Sequence, residues 1–235
     1  MKKLFVIAVG IFAAVLIVLS LDSNPLFPAF GTFDIATRIS SDYFKNLEEA
    51  NISNVVTAIV VGYRSFDTLG EITVLFISAI GVGLLVNTHG KSKRMDLEFT
   101  PNFMLRVGSR IIFVLMVILS VYIILHGHLT PGGGFQGGAI ISSGLLLLYL
   151  ADDSFRSNLK RFKLVESFAG IGLIFAGILG LVLQGAFYAN ILPLGSFGML
   201  LSGGIIPVLY VLIGLKVGSE IAGMVDHFLT EEVVK

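Results

Sequence analysis

The stretch HGHLTPGGGFQGG, His126–Gly138, joins two apolar runs, one closing at Leu125 and the other resuming at Ala139. Two histidines, a proline and six glycines share these thirteen residues. Three chemistries use such material: a metal site, a phosphate-binding loop and a turn between closely packed helices. The phosphate loop is disfavoured because its Gly-Lys-Ser/Thr ending is absent. Zinc takes three or four protein ligands, and the chain has four histidines and no cysteine. The carboxylates nearest in sequence, Asp96, Glu98, Asp152 and Asp153, are predicted across the membrane from this loop. No metal and no cofactor is therefore assigned to the chain. The packing reading fits best. Pro131 and Gly132–Gly134 suit a tight turn with positive φ. Gly134, Gly138 and Ser142 then recur every four residues as a smooth stripe for a neighbouring helix. His126 and His128 remain available for proton handling.

Outward from the loop, the composition sets the class. Of 235 residues, 55% are hydrophobic and 14% charged, with a mean hydropathy of +0.91. A soluble domain carries about 25% charged residues. Several apolar runs reach the roughly 18–20 residues that cross a bilayer. The fold class is an all-α, multi-pass membrane protein. Sixteen basic and sixteen acidic residues cancel, which gives no footprint for nucleic acid. The lack of cysteine excludes thiolate-bound iron–sulfur clusters within this chain.

Six spans are predicted: Leu4–Leu21, Leu69–Val86, Val107–Leu125, Gly134–Ala151, Val165–Phe187 and Gly203–Val225. The first is read as a retained anchor, since its apolar core exceeds that of a signal peptide and no A-x-A-like site follows. Lys2 and Lys3, then Lys91, Lys93, Arg94 and Arg106, then Arg156, Lys160, Arg161 and Lys163 all fall on one side. The loops His126–Pro131 and Tyr188–Phe197 hold no Lys or Arg. The positive-inside rule then places both termini in the cytoplasm and the histidine loop outside. Residues 22–68 form a long outer region whose apolar part, Val55–Val61, is too short to span. It is expected as an interfacial or re-entrant helix against protein. The charged stretch at 91–105 is expected as a cytoplasmic linker between a two-span module, 1–90, and a four-span module, 106–235.

Few ionisable groups fall within the spans. Asp67 and Glu71 lie at i and i+4 on one helix face, and no charge follows Glu71 before Lys91. Intramembrane ionisable groups often mark ion paths; the alternative is an interfacial position, with Asp67 at a helix N-terminus. Lys216 and Glu220 have the same spacing, with Lys216 between Gly214 and Gly218. They are either a self-neutralising pair or a proton relay. Gly172, Ala176 and Gly180 form a second small-residue stripe, and Gly214, Gly218 and Ala222 a third.

HGHLTPGGGFQGG followed by a leucine-rich span resembles the B-type subunit of multisubunit Mrp (Mnh) cation/proton antiporters, over roughly residues 100–230. VGYRSFDTLGEITVLFISAIGV, from Val61, resembles the C-terminal segment of the large Mrp A subunit, which also occurs as a small subunit of membrane-bound hydrogenase complexes. The resemblance implies a subunit of a cation-translocating complex in a prokaryotic cell membrane. Other Mrp-type membrane subunits, hydrogenase or sulfane-reductase redox subunits and membrane lipid are the implied partners, and Na+ or H+ is the implied transported ion. It places Glu71, with Asp67 beside it, at the implicated carboxylate. The large antiporter-like part of the A subunit is missing, so this chain is not expected to be the main pump.

Two functions from different classes follow. One is a transport subunit with Glu71 on a sodium or proton path. The other is a non-conducting scaffold of glycine-striped helices joining antiporter and redox modules. A stand-alone channel is weaker, because few intramembrane polar groups are visible to line a pathway. An enzyme is weaker still, since no nucleophile–base motif appears.

Overall fold

The computed structural model divides the chain into two compact units, Met1–Asn46 and Leu47–Lys235. It describes residues 51–86, 92–94, 101–152, 155 and 159–232, together with Ile11 and Val15. Apart from Ile11 and Val15, the expected span Leu4–Leu21 lies outside the described residues, as do Asp96, Glu98, Asp153 and residues 22–50. The elements below all belong to the second unit.

Six α-helices occur among the described residues: α1 Val55–Thr57, α2 Ser65–Val86, α3 Phe103–His126, α4 Gly134–Ala151, α5 Leu159–Gln184 and α6 Ile206–Phe228. The five from α2 to α6 are long and apolar enough to cross a membrane. Two three-residue strands, β1 Ser92–Arg94 and β2 Thr230–Glu232, pair antiparallel with Lys93 opposite Glu231. This ribbon departs from a purely helical expectation and pins part of the linker to the chain's last residues.

The helix ends follow local chemistry. Asn102 caps α3 by accepting the Leu105 N–H at 2.8 Å, which starts that helix four residues before the expected Val107. α4 begins at Gly134 and ends at Ala151, as expected. α5 begins six residues before Val165 because Lys160, Arg161 and Lys163 continue the helix beyond its apolar part. It stops at Gln184, and Gly185 follows at φ +79°. Gly203 and Gly204, also at positive φ, delay α6 to Ile206, with Pro207 in its first turn where a missing N–H costs nothing.

α6 is the most buried span, and α2 and α3 are the least. Leu209, Tyr210, Ile213 and Val217 of α6 form the core with Ile124, Leu173 and Ile72 from three other helices. Hydroxyls within the spans bond back to their own helix, as Thr73 does to Leu69 O, Ser143 to Ala139 O and Ser167 to Lys163 O. No polar group of these three is left to face hydrocarbon.

The apolar segment before α2 packs on protein. α1 widens into a π-helical turn, Ala58–Tyr63, with Ala58 and Val61 buried. Asn54 fastens it to the histidine loop. Its amide donates to Gly127 O and Thr130 O at 2.8 Å, and its N–H donates to His128 O at 3.1 Å. Thr57 Oγ1 donates to Gly127 O at 2.7 Å and accepts from the Tyr210 hydroxyl at 2.7 Å. Residues 51–63 therefore lie at the same end of the bundle as the loop.

Candidate functional site

Two regions collect most of the residues singled out by sequence: the glycine loop at one end, and an ionisable cluster between α2, α5 and α6; Asp67 and Glu71 lie apart from both, at the start of α2.

At the loop, the first and third small-residue stripes meet each other. A Cβ on Gly134 would lie 2.6 Å from Tyr210 O, and one on Gly138 would lie 2.9 Å from Gly214 O and Gly218 N. Ser142 Oγ donates to Gly218 O at 2.9 Å, tying α4 to α6. A Cβ on Gly214 would strike Ile124 of α3 at 2.6 Å. Gly137, not singled out from sequence, admits Ile124 on its other side, and the Ser120 hydroxyl donates to Gly137 O at 2.7 Å. The doubled Gly137–Gly138 was the available signal, because adjacent helix positions face different neighbours. The expectation of positive φ along the turn holds only at Gly133, φ +154°. Gly132 is needed for a close approach to Ile123 O, and Gly134 for the approach to Tyr210. Pro131 is exposed in the turn. In the second stripe Gly172 meets Leu212 of α6, whereas Gly180 receives the backbone of 186–189 folding back on its own helix.

The two histidines differ. His126 stacks on Tyr122 with ring centroids 4.3 Å apart, its Nδ1 3.2 Å from Tyr122 O. His128 is fully buried, and neither ring nitrogen makes a hydrogen bond of normal geometry. Burial pushes its pKa below the ordinary 6.5; backbone groups of Met199 and Leu200 oppose the shift, and His126 adds to it. Among the described residues no three His, Asp or Glu side chains gather as a metal site.

At the start of α2, Asp67 sits in the first turn and binds Arg64, Nε to Oδ2 at 2.7 Å. Both side chains are more than half exposed, so the pair contributes little to stability. Glu71 is exposed on α2, about 9 Å along the helix axis from its start.

Lys216 lies ten residues into α6, about 15 Å along it and so near mid-span. Its ammonium binds Glu220 Oε1 one turn on. It also lies 3.9 Å from Glu166 Oε1 on α5 and 4.6 Å from the Phe76 ring centroid on α2. Gly170 of α5 packs beside the lysine, where a Cβ would make only an ordinary contact with its chain at 3.7 Å. The Glu220 side chain is completely buried, and its Oε2 has no hydrogen-bond partner. A cavity of about 360 Å³ reaches this cluster, lined among others by Gly83, Lys163, Glu166, Glu220 and His227. Sequence reading missed Glu166; the signal was a carboxylate with no further charge before Lys216.

Two family models match the chain. Residues 104–223 match the family model of a domain related to the MnhB subunit of Na+/H+ antiporter, and residues 5–93 match that of MbhE, a subunit of MBH. A chain of the membrane-bound sulfane sulfur reductase, an archaeal respiratory membrane complex, is 37% identical, with a TM-score of 0.79 over 98% of this chain and 99% of its own length. A chain of the Mrp complex from Dietzia sp. is 25% identical, with a TM-score of 0.70 over 97% of this chain and 26% of its own. The B-type subunit of the Na(+)/H(+) antiporter of Bacillus subtilis is 33% identical over 103 residues, 44% of this chain and 63% of that protein. The chain belongs to the family of membrane proteins built on the domain related to the MnhB subunit of Na+/H+ antiporters.

Proposed function

We propose that this chain is a membrane subunit of an Mrp-type cation/proton translocating module within a respiratory complex, and that its buried Lys216–Glu220 pair lies on the ion path. Other Mrp-type membrane subunits and a redox module are its partners. In this reading, residues 1–90 form a two-span module, 91–105 a cytoplasmic linker and 106–235 the four-span MnhB-like domain, with both termini inside. The observation that carries the assignment is the Lys216–Glu220 pair with Glu166 near mid-span, reached by a cavity. Ionisable groups at that depth are costly and are retained for work. Glu71, exposed on α2, continues the path only where partner helices cover it. Asp67, His126 and His128 lie nearer the outer end, where entry to or exit from the path would be.

The scaffold reading also has an observation in its favour, the glycine interlock of α4 on α6. The two readings separate in reconstituted complexes carrying Glu220→Gln or Glu71→Gln. Loss of Na+ or H+ movement in a complex of normal composition is expected for Glu220→Gln. Full transport in both variants would leave the scaffold as the better account.

A further inference from the structure

The cluster around Lys216 does not balance its own charge. Two carboxylates, Glu166 and Glu220, face one ammonium. From α2 the contact is the apolar Phe76 ring. Lys163 and His227 line the cavity farther toward the inner end, where Lys163 is exposed and its charge is hydrated. The buried group thus carries one negative charge in excess, which low-dielectric surroundings penalise heavily. The excess has a specific address. Glu220 Oε1 takes the lysine, whereas Oε2 is buried without a donor.

We propose that Glu166 and Glu220 hold one exchangeable proton between them, taken from the water of the inner cavity, with Lys216 as the moving counter-charge. A hydronium ion in the cavity gives its proton to Glu166, the carboxylate that water reaches, leaving water; Glu166 passes the proton on to Glu220, which becomes the neutral carboxylic acid. Lys216 keeps its own proton and shifts its ion pair to Glu166. Deprotonation of Glu220 reverses both moves. The contacts supply the two end states, since the ammonium already lies between both carboxylates. A metal cation fits less well, because it needs a shell of oxygen ligands. The nearby Ser219 hydroxyl is already committed to Leu215 O and Lys216 O.

The cavity gives the exchange a direction. Gly83 and Leu84 close α2, Phe162 and Lys163 open α5, and Met224 and His227 close α6. These helix ends lie opposite the histidine loop, so the proton enters from the side that bears the β ribbon. Glu166 becomes a working residue on this account, and its side chain, about a fifth exposed, is the one nearer to water.

The inference rests on the path reading above, and the test separates the two. Infrared difference spectra of the purified complex, recorded across a pH titration with 13C-labelled glutamate, report protonated glutamate carbonyls. A carbonyl band that titrates in the wild type should vanish in Glu220→Gln and persist with an altered titration range in Glu166→Gln. Glu166→Asp should restore most of the original range, which a purely structural role would not require. A band unchanged in both glutamine variants would overturn the shared proton, as would one displaced tenfold in proton concentration for each tenfold rise in Na+. Loss of transport in Glu220→Gln with no titrating band in the wild type would overturn this inference and leave the path reading standing. A titrating band together with full transport in Glu220→Gln would support the proton site and overturn the path reading.

Discussion

His128 shows how one side chain can be placed by sequence and still be misjudged. Its position on the loop was evident from the apolar runs around it. Its complete burial beside Asn54, Met199, Leu200 and Gly203 was not, because that cover comes from segments distant in sequence. The ring's folded pKa lies below the unfolded value of 6.5. The folded state therefore binds fewer protons than the unfolded chain once pH drops under that value. Its contribution to stability is whole above about pH 6.5 and is lost as pH falls toward the folded pKa. Melting of the purified complex should shift downward on mild acidification in the wild type, and the shift should shrink in His128→Leu. Equal shifts in the two proteins would contradict the assignment. Glu166 was illegible for a different reason. A carboxylate soon after a basic run reads as an interfacial residue until Lys216 is seen beside it.

Among the elements, α4 was legible at both ends, because Gly133 and Asp152 bracket a charge-free, largely apolar run. The three small-residue stripes were visible as well, but which stripe would meet which was not. Periodicity reports a face of one helix and says nothing about the partner. The α4–α6 contact has backbone on both sides at Gly138, so a larger side chain there has nowhere to go. Overpacking of this kind costs about 1–3 kcal/mol or more. Gly138→Leu should therefore lower the yield of assembled complex on native gels far more than His126→Ala, whose ring sits on the chain's periphery. Assembly unaffected by Gly138→Leu would mean that the two helices are not held by this contact. The turn before α2 reads from its length as a short helix against protein, yet its clasp on the loop through Asn54 and Thr57 is a contact that no local pattern announces.

At the scale of the whole molecule, large apolar faces remain uncovered. Leu84 and Leu85 on α2, Ile111, Leu115 and Ile118 on α3, and Phe168 and Val182 on α5 are all exposed in the isolated chain. Lipid or neighbouring helices must cover them. The chain expressed alone in mild detergent should elute as a heterogeneous, aggregating species in size-exclusion chromatography. A stable monodisperse monomer would argue against an obligate assembly. The class of protein and its multi-pass character followed from composition and from apolar runs long enough to span as helices, in which the backbone is satisfied within each segment.

On the function proposed above, the Lys216–Glu220 pair conducts. A buried ion pair is weak evidence for stability, because apolar residues of similar volume often replace one at little cost. The double variant Lys216→Met/Glu220→Leu therefore separates work from architecture better than either single change. Its ion transport should be measured in proteoliposomes containing the intact complex, with subunit composition checked in the same preparation. Normal assembly and loss of transport are expected. Normal assembly with wild-type transport would contradict a conducting role for the pair.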